Sequence, residues 1–328
     1  MSTRLSRRDF LKITALTGAV VSLGAVAAQK LLKLGYLNKV RDSQMLMGTI
    51  VNFEVVAESK DQALAAIQAT VDEMRHLISV FDYRLESGAL GQLNATGITR
   101  NPPHELVDML QQALHFGMLS HGAFDITVKP MLDASRENRF VTPKLRQLVD
   151  YRLLSVTDDE ISLACPGMAV TADGIAKGRV VDGGVAILRQ LGFEQVLVEA
   201  GGDMMAKSTQ AGQVWKIGIA HPRNKGEFAA IIGIQNQAVA TSGDYMNYFS
   251  ADHSAYHIID PRTGHSPAEL ASATVIAPSV AEADALSTTM MVLGAQEGLA
   301  LIERLPEMAA LLISKDLQIY RSSKFPTE

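Results

Sequence analysis

The stretch EQVLVEAGGD (194–203), followed by VWKIGIAHP (214–222) and AAIIGIQNQAVATSG (229–243), decides the fold class. Each piece is short, rich in Val and Ile, and bounded by Gly, Pro, Asn or Ser, which is how strands and their turns read in a sequence. AYHIID (255–260) and SATVIAP (272–278) continue at the same close spacing. Strands that run in a group, without a helix regularly between them, point to an α+β fold. Its sheets should be mixed or antiparallel with helices packed on them, not a doubly wound parallel sheet.

Working outward, LMGTIVNFEVVA (46–57) alternates as a strand, and Ser59-x-x-Gln62 forms a capping box for a helix running to about Val80. FDYRLESGALGQLNATG (81–97) is turn-rich, and Asn101-Pro102 opens a second helix to about Ser120. HGAFDITVKPML (121–132) reads as a loop and short strand, and Thr142-Pro143 starts another helix. TADGIAKGRVVDGGVAILRQLG (171–192) is a loop feeding a helix that closes at Gly192. Downstream, Ser279-x-x-Glu282 caps a helix to about Leu293, residues 296–305 are helical, and ALLISKDLQIY (310–320) is a hairpin turning at Lys315-Asp316. With no repeat and no linker after residue 45, residues 46–328 read as one unit behind an N-terminal segment, 29–45.

The N-terminus has a different character. STRLSRRDFLK (2–12) places Arg7-Arg8 before an Ala-, Gly-, Ser- and Thr-rich run ending with Ala25 and Ala27 in an A-x-A arrangement. Residues 1–28 thus read as a twin-arginine signal handed to the Tat translocase, which exports proteins already folded. The run is about 16 residues, short of the ~20 of a stable span, and no later segment reads as long and apolar enough to cross a membrane. The expected location is the periplasm, with association to the inner membrane if the signal stays uncleaved.

Composition narrows the partners. Across 328 residues, 30 basic and 35 acidic side chains give a net charge of -5. With no dense Lys/Arg run in the body of the chain, the broad basic field that nucleic acid requires is missing. Cys165 is the only cysteine, so neither an intrachain disulfide nor a cysteine-based metal site can form. It reads as a packing residue.

Three stretches could carry chemistry. In SVAEADALSTTMMVLG (279–294), Asp284 and Thr288 are spaced i,i+4 and share a helix face, an oxygen pair that suits Mg²⁺ when substrate phosphates complete the shell. The competing reading is a solvated first-turn aspartate, but the helix around it is so apolar that a buried Asp284 would need a partner. In TADGIAKG, Lys177 stands among small residues that let a phosphate or flat ring approach the backbone, although no G-x-x-x-x-G-K-[ST] occurs and an exposed helix-start lysine is the alternative. In HIIDPRTGHSP (257–267), turn chemistry explains Asp260, Pro261 and Gly264 but not His257. His253 and His257 would lie ~13 Å apart in a strand and could not easily share a metal, which disfavours a zinc hydrolase.

In order, LMGT, HGAFDITVKP, DGIAKG, VEAGGD, ATSGDY, HIIDPRTG and EADALSTTMMVLG resemble the ApbE family of flavin transferases, from about Met47 to Tyr320. The resemblance implies a flavin-binding α+β fold and Mg²⁺-dependent transfer of FMN from FAD to a Thr or Ser of a target protein, a subunit of a membrane redox complex, outside the cytoplasm. It also implies that Met47, Ala123, Phe124, Asp125, Thr171, Lys177 and Ile258 contact FAD. Asp284, Thr288 and the Gly174 carbonyl would ligate Mg²⁺, and His257 and Asp260 would form the reactive loop, with Asp260 orienting either the loop or the imidazole. The family usually carries an acidic residue at the position of Thr171, with Asp173 two residues on, and its S-E-L-S-x-L-N pattern is reduced here to GALGQLN (88–94). Phe81 and Tyr83 both remain candidates for the aromatic that stacks on the flavin. Two other functions fit the same residues: a non-catalytic flavin-binding assembly protein for a respiratory complex, and an FAD pyrophosphatase.

Overall fold

Alternate residues of the central strands feed two separate cores, and this period of two builds the molecule. The computed structural model describes residues 37–209, 214–250 and 252–326, so the twin-arginine segment lies outside the described residues. Its strands are β1 (Asn38–Leu46), β2 (Thr49–Ala57), β3 (Ile98–Arg100), β4 (Leu154–Val156), β5 (Glu160–Leu163), β6 (Val196–Ala200) and β7 (Asp203–Lys207). Then follow β8 (Trp215–Ala220), β9 (Phe228–Ile234), β10 (Gln237–Gly243), β11 (Leu270–Ala277), β12 (Ala309–Ser314) and β13 (Ile319–Arg321). The helices are α1 (Lys60–Phe81), α2 (Ala89–Thr96), α3 (His104–Leu119), α4 (Lys129–Arg136), α5 (Pro143–Arg146), α6 (Ala176–Gln190) and α7 (Val280–Ile302).

Eight strands form one sheet in the order β1-β2-β6-β7-β10-β11-β12-β13, with every pairing antiparallel. This is the α+β architecture expected from the grouped strands. Val196, Val198 and Ala200 of β6, Ala238 and Ala240 of β10, and Ala273 and Val275 of β11 enter the core shared with α1, α6 and α7. Their neighbours Leu197, Val239 and Ile276 enter a second core closed by the β8–β9 hairpin with Trp215, Ile217 and Ile232. Burial on both faces explains why these strands read as nearly continuous apolar runs.

The local start signals appear where the sequence places them. The Ser59 side chain accepts from the Gln62 N–H at the start of α1, and Ser279 and Glu282 form a full capping box on α7.

Several elements differ from the sequence reading, each for a physical reason. Strand β1 lies in the 29–45 segment and into Leu46. As an edge strand of sequence NKVRDSQML it shows little apolar alternation, and its pairing with β2 holds it in place. Helix α2 interrupts the turn-rich stretch: its N-cap Gly88 makes no side-chain cap bond, and burial of Leu90 and Leu93 anchors it. Instead of a short strand after Phe124, a 3₁₀ turn (Ile126–Val128) leads into α4, because Pro130 falls in the first helical turn, where its missing N–H costs nothing. Residues 255–260 form a loop with a single bridge, Tyr248–Tyr256. There the Tyr256 N–H goes to the Ser266 hydroxyl and its own hydroxyl to the Pro267 carbonyl. Finally, α7 spans 23 residues and is long and apolar enough to cross a membrane, contrary to expectation, but its apolar residues supply the main core.

Helices α6 and α7 cross at Gly178. A Cβ there would lie 2.6 Å from both the N and Cα of Ala281, so only glycine permits this approach. Gly178→Ala is expected to cost ~1–3 kcal/mol through overpacking, read as a melting temperature several degrees lower.

Candidate active site

The α6–α7 crossing brings one end of the helix layer against the turns of the sheet, and a cavity of about 870 Å³ opens there. Small-molecule and cofactor sites run from roughly 300 to 1,000 Å³. Met47, Ala123, Phe124, Asp125, Thr171, Gly174, Lys177, His257, Ile258, Asp284 and Thr288 all line it. A 530 Å³ depression beside α2 has neither a carboxylate nor a histidine in its lining.

Met47 and Gly48 are the two loop residues of the β1–β2 hairpin and both have positive φ, 52° and 71°. Such a turn follows the twist of the strands but strains a non-glycine residue, so Met47 is held at the cavity by a tight hairpin tip. Ala123 and Phe124 follow α3, and the Phe124 ring packs against Gly174. The Asp125 carboxylate is committed inward. It accepts from the Thr127 N–H and hydroxyl and from the Tyr151 N–H, and burial pushes its pKa up to about 6. Thr171 is buried; its N–H donates to the Ile126 carbonyl and its hydroxyl accepts from the Asp173 N–H.

Asp284 is buried on α7, with Oδ2 accepting from the Gly178 N–H at 3.1 Å. Burial raises its pKa to about 7, the Asp203 charge adds to the rise, and the Lys177 ammonium opposes it. A carboxylate in this state is one that a bound cation would relieve. One turn on, the Thr288 hydroxyl lies 3.3 Å from the Ser242 hydroxyl, and a Cβ on Gly174 would lie 3.2 Å from Thr288 Oγ1. The Gly174 backbone, Thr288 and Asp284 are therefore gathered around α7. Among the described residues no group of three or more His, Cys, Asp or Glu side chains could hold a metal. A cation here would rely on one carboxylate, a hydroxyl and a carbonyl, a hard-oxygen set that leaves room for substrate phosphates and fits Mg²⁺.

Lys177 forms an ion pair with the buried Asp203 at the start of β7. Desolvation works against its charge, but Asp203, with Asp284 and Glu199 beyond, holds its pKa above the ordinary lysine value. A fixed ammonium thus faces the cavity that holds Asp284.

His257 is half-buried. Its backbone N–H donates to the Asn247 carbonyl at 3.0 Å, while Nδ1 finds no hydrogen-bond partner among the described residues. Burial lowers the imidazole pKa, and the Asp173 carboxylate is the leading opposing influence. A neutral imidazole at physiological pH can accept a proton. Asp260 does not touch that imidazole: its carboxylate holds the Arg262 N–H and guanidinium. Of its two proposed roles, the contacts are those of loop organisation.

Sequence reasoning named Tyr83 and Asp173 but not the two arginines that join them in a cluster at the rim. Arg84 donates to both oxygens of Asp173 at 3.0 and 3.1 Å, the Tyr83 hydroxyl donates to the same carboxylate at 3.1 Å, and Arg136 donates to that hydroxyl at 3.1 Å. Arg84, Arg136 and Asp173 line the cavity, as does Phe81, whereas Tyr83 stacks beneath the Arg84 guanidinium. Ser242 was missed as well, although ATSG contains it.

Comparisons with known proteins find similar chains over most of this length. The model of the ApbE family matches residues 47–312, and that of the TAT (twin-arginine translocation) pathway signal sequence matches residues 4–24. The FAD:protein FMN transferase of Haemophilus influenzae is 29% identical, covering 93% of this chain and 93% of that protein. The Escherichia coli K12 protein of the same name is 28% identical over 79% of each chain. Among solved structures, the ApbE protein of Thermotoga maritima superposes with a TM-score of 0.79 at 27% identity, covering 88% of this chain and 98% of the other. The flavin transferase ApbE of Vibrio cholerae gives 0.75 at 27% identity over the same shares.

Proposed function

This chain belongs to the ApbE family, and from that premise we propose that it transfers FMN from FAD to a Thr or Ser hydroxyl of a target protein. The observation that carries the proposal is the cavity itself, which gathers the Asp284 and Thr288 oxygens of α7, a fixed ammonium and a half-buried imidazole. The acceptor hydroxyl attacks the FMN-side phosphorus of FAD, a new P–O bond forms, the pyrophosphate P–O bond breaks, and AMP leaves. His257 takes the hydroxyl proton, because a threonine or serine hydroxyl is a weak nucleophile at neutral pH. Asp284, Thr288 and the Gly174 carbonyl would hold Mg²⁺, which when bound offsets charge on the phosphates. Lys177 adds a fixed positive charge, and Met47, Phe124 and Ile258 supply apolar surface for the flavin. Where the family usually carries an acid this chain has Thr171, and the acid of this loop is Asp173, fastened by Arg84.

The partner we propose is a subunit of a membrane redox complex, met in the periplasm after Tat export. Incubation with FAD, Mg²⁺ and such an acceptor domain tests the reading. Covalent flavin fluorescence on the acceptor with stoichiometric AMP supports it. AMP and free FMN without labelling indicate a pyrophosphatase, and bound flavin without either product indicates an assembly protein.

Export has its own test. Replacing Arg7 and Arg8 with Lys should retain the protein in the cytoplasm, since the Tat receptor reads the arginine pair whereas the general secretory route accepts lysine. Undiminished periplasmic accumulation of the double variant, measured by fractionation, would reject this route.

A further inference from the structure

Helix α7 is broken. Gly294 has φ 78° and ψ −174°, outside helical space, so the first half, carrying Asp284 and Thr288, ends there and a second half begins. Such a break strands carbonyls at one helix end and N–H groups at the next, with partial negative and positive charge respectively. Both ends are met by side chains from the segment that follows His257. The Arg262 guanidinium donates to the Val292 carbonyl at 3.3 Å, placing a cation at the C-terminus of the first half. Glu269 Oε1 accepts from the Ala295 N–H at 3.0 Å, placing an anion at the N-terminus of the second half. A Cβ on Gly294 would lie 2.1 Å from Glu269 Oε2, so the break and this carboxylate are built around each other.

Arg262 is also tied into the His257 loop. It donates to Asp260 through its backbone N–H at 2.9 Å, Nε at 2.9 Å and Nη2 at 3.0 Å. Asp260 in turn is the pivot of the turn, its carbonyl accepting from the Gly264 N–H at 2.8 Å and its N–H donating to the His265 carbonyl at 2.9 Å. One planar guanidinium therefore grips the loop carboxylate and the broken end of the helix, a fork that lysine could not reproduce.

We propose that Arg262 is a positioning residue, which registers His257 against Asp284 and Thr288 by latching the His257 loop onto the break in α7. Its kinetic role rests on the reading of His257 as the base, whereas the latch itself does not. Two measurements on the full-length protein separate these. Hydrogen exchange of Arg262→Ala is expected to accelerate together in residues 257–265 and 290–296, with the sheet amides unchanged. Unchanged exchange in either segment would overturn the latch. In FMN transfer, Arg262→Ala should lower kcat roughly 10- to 100-fold, the scale of a small misplacement of reacting groups, with KM for FAD within about twofold. In a His257→Ala background the same substitution should cost no further kcat, because a residue acting through another is silent once that other is gone. Equal losses in both backgrounds would overturn the assignment. If Arg262→Ala does not fold, Arg262→Lys is expected to give the same pattern at smaller amplitude. Absence of transfer by the parent protein would instead refute the proposed function, leaving exchange to decide the latch.

Discussion

Substituting His257 with alanine is expected to slow single-turnover FMN transfer by roughly 10²- to 10⁴-fold, the usual effect of removing a positioned proton acceptor. FAD affinity should change far less, since Lys177, Ile258 and the Ala123–Phe124 backbone still line the cavity. The loop should survive as well: the His257 backbone N–H still reaches the Asn247 carbonyl, and Asp260 still holds Arg262. The parent enzyme should lose activity as pH falls, because the base must be unprotonated. Burial lowers the imidazole pKa, so that loss should be centred below the ordinary histidine value of about 6.5. In the variant this limb should vanish. Near-normal transfer by the variant, measured beside flavin-fluorescence binding, would remove His257 from the mechanism.

Asp284→Ala is expected to bring transfer below detection while leaving the fold in place. The start of α7 does not depend on Asp284: it is capped by Ser279 and Glu282, and Asp182 of α6 accepts the N–H groups of Val280 and Ala281 at 2.9 Å each. Lys177 keeps Asp203 as its partner. Losing a buried carboxylate with a raised pKa also removes a desolvation cost, against which the Gly178 N–H loses its acceptor. Calorimetric titration with Mg²⁺ should show binding in the parent and none in the variant, with similar melting temperatures. A structural aspartate predicts the reverse: a marked drop in melting temperature with Mg²⁺ binding and activity per folded molecule retained.

Much of this was determined by the sequence alone, wherever a signal is local. Ser59 with Gln62, Ser279 with Glu282, and the glycine-bounded Val/Ile runs set the start of α1, the start of α7 and the α+β class, because caps and strand periods are interactions within a few residues. The spacing of Asp284 and Thr288 likewise put two oxygens on one helix face before any packing was known. Tertiary structure decided the rest. Polar β1 becomes a strand only by pairing with β2, and α2 is a helix without a side-chain cap because Leu90 and Leu93 are buried. Lys177 meets Asp203, Arg84 meets Asp173, and Arg262 meets Val292 across separations that no local pattern encodes. These contacts are created by strand register and by helix crossings such as that at Gly178. Such geometry belongs to the whole chain, because each contact depends on where two distant segments come to rest in a shared core.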